Sequence, residues 1–131
     1  MSDEPTNPDS IAKAIRQKAV QSGAVSVALI LEIEDALRHF PDSVSLWVLR
    51  GDLIQLAEHD RRWSLEDVES SYLKAAALQL SNPLPLESLG YFYDCVLNDP
   101  AGAESFFRRS IKLGAGASAR KGLRDVLKQL K

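Results

Sequence analysis

The chain matches itself at an offset of 39 residues, and this internal repeat strongly limits the folds it can adopt. The matched positions within each copy follow the three- and four-residue spacing of one helix face. A glycine inside a helix costs about 1 kcal/mol relative to alanine, so the matched glycines predict sites where a neighbouring backbone comes close. The six matched pairs are Leu29 with Val68, Ile33 with Tyr72, Ala36 with Ala75, Trp47 with Leu86, Gly51 with Gly90 and Ile54 with Tyr93.

The rest of the chain shows the same helical periodicity. No sustained alternation of apolar and polar residues indicates a strand, so the predicted class is all-α. Capping residues, glycines and prolines divide this periodic sequence into about seven predicted helices. Their predicted spans are about 9–22, 24–40, 43–58, 64–81, 86–97, 99–113 and 117–130.

The chain divides into a short tail and one longer helical region. Residues 1–9 contain two prolines and three acids, with no large aliphatic residue after Met1, which predicts a disordered acidic tail. Residues 10–131 are long enough to bury one hydrophobic core. We therefore expect a single helical domain over 10–131, with the last helix as its C-terminal cap.

The sequence also bears on the cellular location of the protein and on its association with membranes. The start of the chain lacks the basic and apolar pattern of a secretory signal, and the most apolar run, 24–31, is far shorter than the about 20 residues that span a bilayer. The one cysteine, Cys95, cannot form an internal disulfide. We expect a cytoplasmic protein with no membrane association.

Charge is distributed unevenly along the chain. The net charge is only −2, but residues 1–107 carry −9 and residues 108–131 carry +7. Such asymmetry bears on association and on electrostatic steering rather than on the fold.

The repeated residues resemble the tetratricopeptide repeat, which carries W-x2-L-G-x2-Y on its first helix and A-x3-F with a closing proline on its second. Residues 86–123 also resemble the related Sel-type repeat. The period of 39 exceeds the family's usual length of about 34, which predicts a longer loop around 59–63. The residues that carry the first resemblance are Ala36, Pro41, Trp47, Gly51, Ile54, Val68, Tyr72, Ala75, Leu86, Leu89, Gly90 and Tyr93.

This resemblance implies antiparallel helical hairpins stacked as a short α-solenoid, with a concave groove and no catalytic residue. It implies a non-enzymatic adaptor that binds a peptide or protein segment, such as a secretion chaperone or a toxin-neutralising immunity protein. The three acids of the implied groove make it mildly acidic, although the same residues are also typical of an ordinary solvated surface. The implied groove residues are Val48, Asp52, Gln55, Glu87, Tyr91 and Asp94.

The last predicted helix supports a different hypothesis. Its cations fall within an arc of about 100 degrees at 3.6 residues per turn. A solvated face of a capping helix, a contact for an acidic protein and a nucleic-acid site all fit this stripe. The nucleic-acid accessory protein is the alternative function. The residues of this basic face are Arg120, Lys121, Arg124 and Lys128.

The remaining residues of chemical interest do not form a catalytic pattern. His39 and His59 both lie near predicted helix ends, and Cys95 has no identifiable basic partner. We therefore expect no enzyme activity, no cofactor and no metal. Trp63 is either a hydrophobic staple that packs on Val68 or an anchor for a partner, and the oligomeric state is left open.

Overall fold

A computed structural model describes residues 7–57 and 62–131, and within these two ranges its regular secondary structure is all helical, with no strand. The predicted all-α class and the predicted number of about seven helices are confirmed. No helix in the described ranges is both long and apolar enough to cross a membrane. The α-helices are α1 (Pro8–Ser22), α2 (Val27–His39), α3 (Val44–Leu56), α4 (Leu65–Leu78), α5 (Pro83–Tyr91), α6 (Pro100–Lys112) and α7 (Ala117–Gln129), and a π-helix, Phe92–Val96, continues α5.

Several predicted caps form as expected. Ser64 and Asp67 make a reciprocal capping box at the start of α4, in which the Ser64 amide donates to Asp67 Oδ2 at 2.8 Å and the Asp67 amide donates to Ser64 Oγ at 3.4 Å. Ser43 caps α3, and Asp99 caps α6. These side chains satisfy amides that have no acceptor within the helix.

Two helices begin at other residues than predicted. α5 begins at Pro83 rather than near residue 86, because Asn82 Oδ1 accepts from the amide of Leu84 at 3.0 Å and prolines fit the first turn of a helix. α2 begins only at Val27, because Ser26 rather than an earlier residue provides the cap. The predicted break at residues 82–85 is therefore a helix start.

The predicted tail is only partly described. Pro8 and Asp9 belong to the first turn of α1, which Asn7 caps. Residues 1–6, together with His59 and most of the predicted long loop, lie outside the described residues.

The contacts divide the chain into two compact units, residues 1–78 and residues 79–131. In the first unit α3 packs against α1, α2 and α4. In the second unit α6 packs against both α5 and α7. The expected single domain over 10–131 stays a prediction.

The matched glycines lie where an aromatic ring, rather than a neighbouring backbone, comes close. A Cβ atom on Gly51 would lie 2.7 Å from the ring of Tyr72, which is 1% exposed. A Cβ on Gly90 would lie 2.7 Å from the buried ring of Phe107, and Gly122 of α7 also faces this ring. Each unit thus has one matched glycine packed against a buried aromatic ring, although Tyr72 and Phe107 do not occupy matched positions of the repeat.

Candidate functional site

Two of the predicted groove residues, Asp52 and Gln55 of α3, converge on Tyr72 of α4. The Tyr72 hydroxyl donates to Asp52 Oδ1 at 2.5 Å and accepts from Gln55 Nε2 at 2.6 Å. Val48, the third predicted groove residue of α3, is only 4% exposed and lies in the core of the first unit. The predicted stripe on α3 is therefore open at Asp52 and Gln55 but not at Val48.

The phenol of Tyr72 is held in its neutral form. Burial raises its pKa well above the ordinary value, and the nearby charge of Asp52 raises it further. A protonated phenol is a donor, so the hydroxyl fixes the Asp52 carboxylate from the buried side of α3. The second carboxylate oxygen, Oδ2, accepts from Arg16 Nη2 of α1 at 3.2 Å.

A cavity of about 310 Å³ lies between α1 and α3, next to this carboxylate. Its volume is at the lower end of the about 300–1,000 Å³ typical of ligand pockets. Val20 is 76% exposed and Leu56 is 66% exposed, the highest values for large apolar side chains among the described residues of the first unit. The lining of this α1–α3 cavity includes Arg16, Val20, Val25, Asp52, Leu53 and Leu56.

A wider groove of about 980 Å³ lies between α1 and α2. Its apolar lining includes Ile15, which is buried, and Leu31, which is 48% exposed. An exposed ion pair bridges it, with Lys18 Nζ 3.0 Å from Glu32 Oε1. The α1–α3 cavity is the stronger candidate for two reasons. Its aliphatic side chains Val20 and Leu56 are more exposed than Leu31, and its carboxylate, Asp52, is held by the Tyr72 hydroxyl.

In the second unit two of the three predicted groove residues, Tyr91 and Asp94, contact α7. The Tyr91 hydroxyl donates to the carbonyl of Ser118 at 2.6 Å, and its ring packs edge-on against Phe107 with centroids 4.9 Å apart. Asp94 Oδ1 accepts from Gln129 Nε2 at 2.9 Å. Ser118 and Gln129 lie at opposite ends of α7, so these contacts hold both ends of that helix. Glu87 is partly exposed on α5.

Asp94 and Cys95 both lie in the π-helix that continues α5. Burial and the neighbouring Asp94 raise the pKa of the exposed Cys95 thiol above its ordinary value. A raised pKa disfavours the thiolate, which is the nucleophilic form. The surroundings of Cys95 therefore favour its neutral thiol over the thiolate.

All four residues of the predicted basic face, Arg120, Lys121, Arg124 and Lys128, are exposed on α7. Lys121 Nζ is paired with Asp125 Oδ2 at 2.9 Å, one helical turn away. The face is thus open to solvent, and part of its charge is neutralised within the helix.

A partly buried charged cluster surrounds Arg50 and was not predicted from the sequence. Its guanidinium donates twice to Glu34 Oε2, at 3.1 and 3.2 Å, and once to Ser71 Oγ at 2.7 Å, and its side chain is only 13% exposed. The indole nitrogen of Trp63 donates to the same Glu34 oxygen at 3.0 Å. The cluster joins α2, α3 and α4, and Trp63 takes part in it. The only signal for it in the sequence was an arginine among the apolar residues 46–51 of α3.

No protein-family model matches the chain, and no curated protein sequence matches it significantly. The resemblance to the tetratricopeptide repeat therefore stays a prediction. Among residues 7–57 and 62–131, no three His, Cys, Asp or Glu side chains lie close enough together to hold a metal ion.

Proposed function

We propose that the chain is a non-enzymatic interaction module whose first unit binds a peptide or protein segment at the α1–α3 cavity. The observation that carries this proposal is the exposure of Val20 and Leu56, 76% and 66%, beside the fixed carboxylate of Asp52. Protein interfaces typically combine an apolar centre with a polar rim, and this surface offers both. A cytoplasmic location, which suits the lone thiol of Cys95, is part of the proposal.

The proposed site differs from the stripe that the sequence implied. It retains Asp52 and adds Arg16, Val20 and Leu56, all of them within the first unit. Gln55 does not line the cavity and contacts the Tyr72 hydroxyl instead. Tyr91 and Asp94 are not included, because their contacts are with α7. The site also has a rigid base, since the Asp52 carboxylate is held by a hydroxyl from α4.

Affinity capture with quantitative mass spectrometry tests this function. The baits are the wild type, a Val20→Asp and Leu56→Asp double variant, and Leu73→Asp as a matched control on α4, where Leu73 is 45% exposed. A charge at the cavity should prevent burial of a partner's apolar side chain, so the double variant should lose a partner that wild type and control both retain. Equal recovery of every captured protein by all three baits would contradict the proposal.

A second candidate function, nucleic-acid binding, is favoured by one observation, the exposure of Arg120, Lys121, Arg124 and Lys128 on one helix. Cations that neutralise phosphates give binding that weakens steeply with salt. Fluorescence anisotropy with labelled single-stranded and duplex oligonucleotides at two salt concentrations tests it. Under this hypothesis, Arg120→Glu with Arg124→Glu removes binding, whereas the cavity variants leave it unchanged.

A further inference from the structure

The ion pair between Arg16 and Asp52 lies at the rim of the α1–α3 cavity and joins two different helices. Arg16 Nη2 and Asp52 Oδ2 are 3.2 Å apart, and the two side chains are 55% and 30% exposed. An exposed ion pair of this kind contributes little to stability, because water and salt screen it and two long side chains lose freedom in forming it. Breaking this contact therefore costs little.

The position of the Asp52 carboxylate does not depend on Arg16. Its other oxygen, Oδ1, accepts from the hydroxyl of Tyr72, which is 1% exposed and is itself bound by Gln55 Nε2 at 2.6 Å. If Arg16 moves away, the carboxylate stays in place with Oδ2 open toward solvent. The structure thus holds a fixed anion whose outer partner is exchangeable.

The apolar part of the site lies one helical turn along α3. Asp52 and Leu56 are four residues apart, which places them about 6 Å from each other along the helix axis. An extended peptide advances about 3.3 Å per residue and points every second side chain to the same face. A basic residue and an aliphatic residue separated by one residue therefore match the spacing between the carboxylate and the cavity.

We propose that a cationic side chain of the partner replaces Arg16 on Asp52, while an aliphatic side chain two residues away enters the cavity between Val20 and Leu56. This inference rests on the proposed function and names the chemistry of the partner segment as basic, any residue, aliphatic. Charge complementarity favours this occupant, because the Asp52 carboxylate is held in place at the cavity by Tyr72. The exposed Arg16 side chain, by contrast, can move away from that carboxylate. Arg16 then acts as an internal competitor of the partner.

Amide NMR titration tests the exchange. The probe is the capped heptapeptide Gly-Ser-Arg-Ser-Leu-Ser-Gly, with comparators in which its arginine is replaced by glutamate or its leucine by serine. The probe should shift the amide signals of Leu53 and Leu56, and the serine comparator should bind at least about tenfold more weakly, since burial of the leucine side chain is lost. Asp52→Asn should remove the preference for arginine over glutamate. No shift with the probe at millimolar concentration overturns the inference.

Arg16→Gln is the decisive variant. It removes the internal competitor and should tighten binding of the arginine probe about threefold, the gain expected when a pair of ordinary exposed strength no longer has to be broken. The matched control is Arg38→Gln, since Arg38 is an exposed arginine of α2 that pairs with Asp35 at 3.5 Å. The Arg38→Gln variant should leave the dissociation constant of the arginine probe unchanged. Unchanged or weaker binding by Arg16→Gln overturns the exchange.

The two proposals fail in different ways. If a captured partner depends on Val20 and Leu56 but Arg16→Gln does not bind the probe more tightly, the exchange is wrong and the proposed function stands. If no captured partner depends on Val20 and Leu56, the proposed function itself is wrong.

Discussion

At the scale of single residues, each unit is organised around a glycine that faces an aromatic ring. Gly51 makes room for Tyr72 in the first unit, and Gly90 makes room for Phe107 in the second. The sequence indicated these two positions, because a glycine in mid-helix is costly unless something packs closely against it. It could not show that the neighbour is a ring, because that depends on how α4 and α6 pack.

Larger side chains at these glycines should destabilise the fold. Gly51→Leu or Gly90→Leu would force a buried ring to move, at a cost of about 1–3 kcal/mol. Gly116→Ser is the control, because nothing lies within 4 Å of a Cβ at Gly116 and serine suits the helix start that this glycine occupies. Chemical denaturation followed by circular dichroism measures the difference. Equal stability of the leucine variants and the control would mean that the rings do not fill this space.

The protonated phenol of Tyr72 predicts a pH dependence of stability. The unfolded phenol ionises near its ordinary pKa of 10.0, whereas burial and Asp52 raise the pKa in the folded state. Above about pH 10 the unfolded state therefore binds fewer protons than the folded state, and the free energy of unfolding falls as pH rises. The fall should be shallower in Tyr72→Phe than in the wild type. Parallel stability curves from pH 8 to 11 would argue against this environment for Tyr72.

At the scale of elements, local sequence signals located most helices but not all of their ends. The caps Ser43, Ser64 and Asp99 were predictable, because each acts within its own first turn. The start of α5 was not, because a proline-rich run fits both a break and a first turn. The π-helix after Tyr91 was also not predicted, because no sequence pattern indicated it.

The last helix closes the second unit, so its removal should expose apolar surface. The fully buried ring of Phe107 on α6 packs against α7 at Gly122. Tyr91 also donates a hydrogen bond to the carbonyl of Ser118 on α7. Deletion of residues 115–131 uncovers this side of α6 and should give a less stable protein that self-associates. Size-exclusion chromatography with light scattering checks the outcome. A monomeric truncation with the wild-type melting temperature would contradict the capping role of α7.

At the scale of the whole molecule, the candidate site was only partly predictable. Helical spacing put Asp52 and Gln55 on one stripe, but it gave no means of placing Arg16, which is 36 residues away from Asp52 along the chain. Val48 was included because it shares that stripe, and the packing of α3 on three helices buries it. The position of Arg16 and the burial of Val48 both depend on contacts between helices, which the spacing within one helix does not reveal.

Hydrogen–deuterium exchange of the full chain, with and without its captured partner, tests the central claim most directly. If the α1–α3 cavity receives the partner, exchange should slow in the last turns of α1 and α3, at residues 19–22 and 53–57, and stay unchanged in α7. Slower exchange confined to α7, with residues 19–22 and 53–57 unaffected, would contradict the proposed site.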